Sequence, residues 1–209
     1  KKLAAYGDID FFNKKYGVDE PAPLILAVGD GNHSLATAKS IYEQNKKHMG
    51  AAALAHPSRF ALAELVSIYD ESLTFEPIYR VVFDADKDAL FEALQKTFSD
   101  VDTGTGQSFT VVSDGKERRF FVKNPTANLT VGTLDMFLAG VKGRIDYIHG
   151  EEALKKLSRG NNVGFLFGAL DKSEFFPTII KDGSLPKKTF SMGHAADKRF
   201  YIESRKITL

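Results

Sequence analysis

Several features are absent from this chain of 209 residues, and each absence excludes a class of chemistry. Cysteine is absent, which excludes disulfides, thiol nucleophiles and cysteine-ligated zinc. The formal net charge is only +1, so no global field directs the chain towards nucleic acid or a membrane surface. No apolar run approaches the roughly 18 residues that a membrane-spanning helix requires. We therefore expect a cytoplasmic protein without a membrane partner.

The first residues, KKLAAYGDIDFF, lack an initiator methionine, an apolar signal core and a cleavage pattern. We expect the sequence to be part of a longer protein whose N-terminal portion is missing. The hydrophobic fraction of 43% and the charged fraction of 26% are ordinary for a globular protein. A chain of this length can bury a core without disulfides or metals.

Hydrophobic periodicity predicts a mixture of helices and strands without strict βαβ alternation. Helices are predicted over 3–16, 34–47, 84–100, 130–139, 151–160 and 172–183, strands over 24–28, 78–83, 144–149, 163–170 and 199–207, and a hairpin over 108–122. The segment 56–73 fits helical and alternating spacing almost equally well. This order favours an α+β fold, with a mixed sheet and helices packed on it. We expect a motif-bearing part over residues 1–83 and an α+β part over 84–209, packed as one unit.

The most informative segment is LILAVGDGNHS, residues 24–34. An apolar run predicts a buried strand over 24–28, and a helical pattern follows the turn Gly29–Ser34 at once. The first amides of a helix have no partner within the helix, and the helix dipole adds partial positive charge there. Gly29 and Gly31 lack Cβ atoms, so a phosphate group could approach the backbone closely. This arrangement is typical of a phosphate-type site.

Polar side chains of the same turn extend this interpretation. Asn32, His33 and Ser34 offer donors, and Asn32 or Ser34 is placed to cap the helix. Asp30 is less suited to a phosphate, because a carboxylate repels it. Asp30 fits better as a metal or hydroxyl partner, a general base or a cap. The alternative is a purely structural turn, with glycines for tightness and Asp and Asn for capping.

The segment AVGDGNHSLATAK resembles the one that marks a family of uncharacterised bacterial proteins, the domain of unknown function 1015 family. Further matches are HPSRFALAELVSIYDESLTFEPIYRVVF, IDYIHG, VGFLF, DKSEFFPTIIKDGSLPKKTFSMG and KRFYIESRKI, so the resemblance extends over residues 24–207. Family members are longer, and this chain resembles their C-terminal part. More distant members carry Asp-Gly-His-His-Arg at the turn. That motif is similar to the phosphate-contacting turn of the ParB/sulfiredoxin-like superfamily, which includes nucleotide-binding and free-serine-kinase members.

The resemblance implies roles for individual positions of the turn. Asp30, Gly31 and His33 match the Asp-Gly and the second His of the distant motif. Asn32 replaces its first His, and Ser34 replaces its Arg. The loss of Arg matters, because Ser cannot replace a bidentate and permanently charged phosphate clamp.

A later family motif, Pro-x-Lys-Ser/Thr, is matched by Pro186, Lys188 and Thr189. The resemblance therefore implies that Lys188 or Lys187 supplies the charge that the turn lacks. Arg80 matches a basic residue of related members. If the fold brings these residues to the turn, they are ligand-binding candidates.

Two other features have competing interpretations. Glu64 lies within an apolar run, so it would face a cleft or a cation in a central strand but would be solvated in an edge strand or a helix. The segment GKERRFF mixes basic and aromatic residues, as nucleic-acid sites do. On a hairpin, however, Arg118 and Arg119 face opposite ways, which indicates a solvated face and argues against a nucleic-acid partner.

These observations lead to one functional hypothesis and its alternative. We expect a nucleotide with Mg²⁺, or another phosphorylated small molecule, to bind at the Gly29–Ser34 turn, and a homo-oligomer is a candidate assembly. A phosphotransferase or nucleotide hydrolase would use Asp30, His33 and Lys188 as catalytic residues. The expected ligand contacts are Gly29, Gly31, Asn32, Ser34, Glu64, Arg80, Lys187 and Thr189. No His, Asp or Glu set has metal-ligand spacing, so no metal site of the protein itself is predicted. The alternative is a non-catalytic ligand-binding or regulatory module with a structural turn.

Overall fold

The structure is a computed structural model that describes residues 6–193. This part of the chain divides into two compact units, residues 6–67 and 68–193. The division falls at residue 67, before the strand at Phe75–Phe83, whereas the sequence patterns placed it at residue 83. The strand predicted over 199–207 lies outside the described residues.

The first unit is helical in its described part. Its elements are α1 (Ile9–Tyr16), α2 (Asn32–Met49) and two short 3₁₀ helices, Gly50–Ala55 and Pro57–Arg59. α1 begins where the Asp8 side chain accepts a hydrogen bond from the Phe11 amide at 2.9 Å, and it ends at Gly17 in a left-handed conformation. The Tyr42 hydroxyl of α2 donates to the Ala53 carbonyl at 3.0 Å. The helices expected near residues 3–16 and 34–47 are thus present.

Two apolar segments of this unit differ from the expectation. Residues 24–28, predicted as a buried strand, are irregular, and Leu26 is 60% exposed. Residues 60–67 are also irregular rather than helix or strand. A strand requires a neighbour to complete its hydrogen bonds, and no described strand pairs with either segment. The prediction of a strand before the turn is therefore wrong, although the helix after it is correct.

The second unit contains a seven-stranded sheet. The strands are β1 (Phe75–Phe83), β2 (Phe98–Ser99), β3 (Ser108–Ser113), β4 (Lys116–Val122), β5 (Arg144–His149), β6 (Val163–Phe167) and β7 (Phe190–Met192). Their order is β2-β4-β3-β6-β1-β5, and β7 also pairs with β1. The described pairings are antiparallel, which corrects the expected mixed sheet. The α+β class is confirmed.

Four helices accompany this sheet: α3 (Lys87–Thr97), α4 (Thr130–Leu138), α5 (Glu151–Leu157) and α6 (Lys172–Asp182). α6 continues through Pro177, so the break considered at that residue does not occur. None of the helices within residues 6–193 is long and apolar enough to cross a membrane.

The sheet buries side chains on both faces. Val82 packs with the apolar residues of α3 and α4, whereas its neighbour Val81 packs with Leu154 of α5. Successive residues of a strand point to opposite faces, so this alternation places helices on each side. α5 lies very close to β6 at Gly164, where an added Cβ would clash with the Ser158 hydroxyl and come within 2.9 Å of Leu154 Cγ. Position 164 therefore has no room for a side chain unless α5 shifts.

The hairpin between β3 and β4 turns at Asp114 and Gly115, as predicted. Both residues have positive φ, 50° and 76°, which a two-residue turn of this type requires. The Asp114 carboxylate accepts hydrogen bonds from Lys87 Nζ and, at 2.8 Å, from the Gly160 amide. The bond from Lys87 is the largest cause that holds the pKa of Asp114 below its usual range, and the Gly160 amide is the second.

Asp114→Asn should make folding less dependent on pH. A lowered carboxyl pKa stabilises the folded state above the unfolded-state pKa of about 3.9, and this contribution is lost as the pH falls through the lower folded-state pKa. Asn tolerates the left-handed conformation of the turn but cannot form the ion pair. We expect a lower free energy of unfolding at neutral pH and a shallower decline on acidification, measured by urea titration between about pH 2 and 7.

The matched control is Asp102→Asn, because the Asp102 carboxylate accepts a bond from the nearby Gly104 amide and has no ion pair among the described residues. Equal pH profiles for Asp114→Asn and the unmodified chain would contradict the role given to the Asp114 contacts.

Candidate functional site

The Gly29–Ser34 turn enters α2 through a left-handed glycine. Gly31 has φ of 78° and ψ of 15°, a conformation that costs little without a Cβ atom. The first hydrogen bond of the helix joins the Leu35 amide to the Gly31 carbonyl at 2.9 Å. An ideal Cβ on Gly31 would meet nothing within 4 Å, so the backbone is open to approach here.

The amides in the first turn of α2 have no side-chain cap. The residues Asn32, His33 and Ser34 are exposed, and no side chain accepts a hydrogen bond at the cap position. The Asn32 amide group instead donates to the Val28 carbonyl at 3.3 Å. Capping by Asn32 or Ser34, which the sequence suggested, does not occur. This helix end therefore presents backbone donors to solvent.

The acidic and basic side chains of the turn do not form a catalytic pair. Asp30 Oδ1 accepts a hydrogen bond from the Gly31 amide at 2.7 Å, so this carboxylate first stabilises the turn itself. His33 is exposed, and its carbonyl accepts a bond from the Thr37 hydroxyl at 2.9 Å. No hydrogen bond joins Asp30 to His33 in the described structure. Asp30 and His33 are therefore not arranged as an acid–base pair.

Arg80, a predicted ligand contact, lies in β1 of the second unit and is 0% exposed. Its Nε and Nη2 donate to the two carboxylate oxygens of Asp135 in α4, at 2.8 and 2.9 Å. Nη1 donates to the carbonyls of Ile78 and Lys188, and Nη2 also donates to the carbonyl of Lys187. An arginine side chain has five N–H donors, and all five are used here. Arg80 is structural, which corrects its assignment to ligand binding.

The residues of the later motif form a turn beside Arg80. Thr189 is buried, and its hydroxyl donates to the Pro186 carbonyl at 2.7 Å, so Thr189 closes the turn rather than facing a ligand. Lys187 and Lys188 are exposed. Their Nζ atoms lie 5.9 and 5.0 Å from the centre of the Tyr147 ring. These lysines belong to the second unit, whereas the Gly29–Ser34 turn belongs to the first.

A family model described as a protein of unknown function, DUF1015, matches residues 18–137, which is more than half of the chain. The chain belongs to the DUF1015 family. The expectation drawn from the sequence is thus confirmed at the family level. No curated protein and no solved structure matches the chain.

The DUF1015 match covers the Gly29–Ser34 turn, Arg80 and Asp135, and it ends before the turn that contains Lys187 and Lys188. Glu64 also lies within the match, but it is exposed in the irregular segment 60–67. The structure gives Glu64 no ion pair with another described residue. Glu64 therefore contacts solvent rather than a cleft or a cation among the described residues.

Two important side chains of this DUF1015 chain were not identified from the sequence. Asp135 is the partner of the buried Arg80, and Tyr147 is the ring on which three cations converge. A carboxylate within the apolar helix sequence TVGTLDMFL was the available signal for Asp135, because a charge on a core-facing helix requires a partner. No comparable signal marked Tyr147.

The described residues contain no preformed metal site built from side chains of the protein alone. No group of three His, Asp or Glu side chains among residues 6–193 is arranged to hold an ion.

Asp135→Ala should destabilise the second unit strongly. Removing one partner of a buried ion pair leaves an uncompensated charge, which costs about 3–5 kcal/mol when both groups are buried. The Asp135 side chain is 29% exposed, so we expect a loss of stability around or somewhat below the lower end of this range, about 2–4 kcal/mol, measured by urea unfolding.

Asp135→Asn retains one oxygen acceptor for Arg80 and should cost less than Asp135→Ala. Asp88→Ala, an exposed position in the first turn of α3, is the control for loss of a carboxylate from a helix. If Asp135→Ala lowered the free energy of unfolding no more than Asp88→Ala, the ion pair with Asp135 would not be what stabilises the buried charge of Arg80.

Proposed function

We propose that this DUF1015 protein binds a nucleotide or another phosphorylated small molecule at the Gly29–Ser34 turn. One observation carries the proposal: the first turn of an 18-residue helix has exposed amides and no side-chain cap. Such amides are hydrogen-bond donors that have no acceptor within the helix, and the helix dipole favours a negative charge beside them. A phosphate oxygen meets both requirements.

The turn offers further support for a phosphate ligand. Space above Gly31 is open, so phosphate oxygens can reach the backbone without meeting a side chain. The side chains of His33 and Ser34 are exposed beside the amides and add donors. The corresponding motif of more distant family members resembles a phosphate-contacting turn, and its match at Asp30, Gly31 and His33 also motivates the proposal.

A nucleotide would bring Mg²⁺ with it, and Asp30 is the group suited to that ion. Protein-bound Mg²⁺ is commonly held by one or two carboxylates together with the phosphates of its ligand. Asp30 is exposed, and only its Oδ1 is used within the turn, by the Gly31 amide. The second oxygen, Oδ2, remains available to a cation. The ion would neutralise the repulsion between Asp30 and the phosphates.

Ligand binding without catalysis is the function that the geometry supports best. A general base must lie within hydrogen-bond reach of the proton that it removes, and it is commonly oriented by a second group. Asp30 is oriented towards its own backbone, and His33 has no orienting hydrogen bond from a described side chain. Phosphotransfer with Asp30, His33 and Lys188 remains the second candidate, and the family resemblance is its motivation.

Gly31→Val should remove nucleotide binding. A β-branched side chain would occupy the space in front of the amides, and it would strain the left-handed backbone. Gly17→Val is a matched control, because Gly17 is also left-handed, with φ of 64° and open space around its Cβ position, in the same unit. Both variants should lose about 1–3 kcal/mol of stability.

Calorimetric titration with ATP, ADP and CTP, with and without Mg²⁺, separates the two variants. We expect Gly31→Val to weaken binding at least about tenfold while Gly17→Val leaves it unchanged, since loss of one charge-assisted contact is enough for that change. An equal loss of nucleotide affinity in Gly31→Val and Gly17→Val would show that binding depends only on the stability of the fold. No binding by the unmodified chain would overturn the proposal, whereas release of phosphate, or its transfer to free serine, would favour the enzymatic candidate.

A further inference from the structure

A second group of cations lies in the other unit, around the Tyr147 ring of β5. The guanidinium carbon of Arg80 lies 4.6 Å from the ring centre, Lys188 Nζ lies at 5.0 Å and Lys187 Nζ at 5.9 Å. Aromatic rings attract cations, but they carry no charge that neutralises them. Negative charge placed near the ring would therefore stabilise all three cations.

The described carboxylates neutralise only part of this group. Asp135 forms a bidentate pair with Arg80, which balances that charge. Asp146 is another nearby carboxylate, and it accepts a 3.0 Å bond from Arg144. Its pKa is lowered first by the bond from the Tyr147 amide, then by Arg144 and least by charge attraction to Lys188. Within residues 6–193, no carboxylate lies within ion-pair distance of Lys187 or Lys188. Among the described residues, Lys188 is thus attracted to Asp146 only at longer range, and neither lysine has a carboxylate in direct contact.

The backbone that carries these lysines is held in an unfavourable conformation. Lys188 has φ of 52°, a left-handed value that residues with a Cβ atom seldom adopt. Arg80 fixes it, because its guanidinium donates to the carbonyls of both lysines at 3.1 and 2.9 Å. The Thr189 hydroxyl closes the same turn. Strain of this kind persists where surrounding contacts determine it, and it concentrates at ligand sites.

We propose that the turn Pro186–Thr189 is a second oxyanion site, which takes the phosphate group of a small molecule between Lys187 and Lys188. The buried Arg80 acts as a positioning residue, since it holds the turn and has no donor left for the ligand. The ammonium groups of the two lysines contact the phosphate oxygens as point charges. This site belongs to the second unit alone and does not depend on the Gly29–Ser34 turn.

Because Lys188 has a strained backbone, its substitution should affect stability differently from that of an ordinary surface lysine. Lys188→Gly removes one ammonium group and also relieves the positive φ, so it should raise the melting temperature while it weakens anion binding. Substitution of a surface lysine that has no role in binding would not raise the melting temperature and weaken anion binding together. A fall in melting temperature would overturn the argument from strain.

Pyrophosphate is the probe, measured by calorimetric titration at one fixed ionic strength. We expect Lys187→Gln with Lys188→Gln to weaken its binding at least about tenfold, because two charge-assisted contacts are lost. Lys156→Gln is the control: Lys156 is exposed on α5 and has no ion pair among the described residues. An equal effect of the control would show general charge attraction and overturn the site.

The same titration in the Gly31→Val background separates this site from the first one. Binding that persists in Gly31→Val and disappears on replacing Lys187 and Lys188 assigns pyrophosphate to the turn Pro186–Thr189. Binding that survives replacement of both lysines but disappears in Gly31→Val overturns the second site and leaves the first intact. No binding of pyrophosphate in the Gly31→Val background would also overturn the second site.

Discussion

The second unit depends on the burial of one positive charge. Arg80 is fully buried in β1, and a buried guanidinium is tolerated only when it is paired and every donor is satisfied. Its five hydrogen bonds join three parts of the unit: β1 itself, α4 through Asp135, and the turn Pro186–Thr189 through the carbonyls of two lysines. The positions of α4 and of this turn therefore follow from the need to satisfy a single side chain.

Much of the second unit could be predicted because its signals are local. The hairpin between β3 and β4 follows from Asp114 and Gly115, which suit a turn with two positive φ values. The helix α3 follows from its apolar spacing and from Asp86, whose side chain accepts a bond from the Ala89 amide. Such features need only a few neighbouring residues, so the sequence contains most of the information.

The remaining features depend on contacts that no local pattern reveals. Residues 24–28 have the composition of a buried strand, yet strand formation is decided by a partner elsewhere, and the described chain provides none. In the sequence Arg80 resembles a cation that is free to bind a ligand. Its carboxylate partner Asp135 follows 55 residues later, so no local pattern reveals the pair. The candidate turn was correctly placed at a helix start, while its uncapped state could be seen only in the structure.

The arrangement around β1 also has a consequence for how the chain is made. The partners of β1 in the described sheet are β5, β6 and β7, and all of them follow it in the chain. The last hydrogen bond of Arg80 reaches across 108 residues to Lys188. At a ribosomal rate of roughly 5–20 residues per second, β1 waits roughly 5–20 s for that segment. During this interval the hairpin of β3 and β4 can form, and β5 and β6 are synthesised and can pair with β1. The contacts of Arg80 with Lys187 and Lys188, and the pairing of β7 with β1, are therefore the last to be completed.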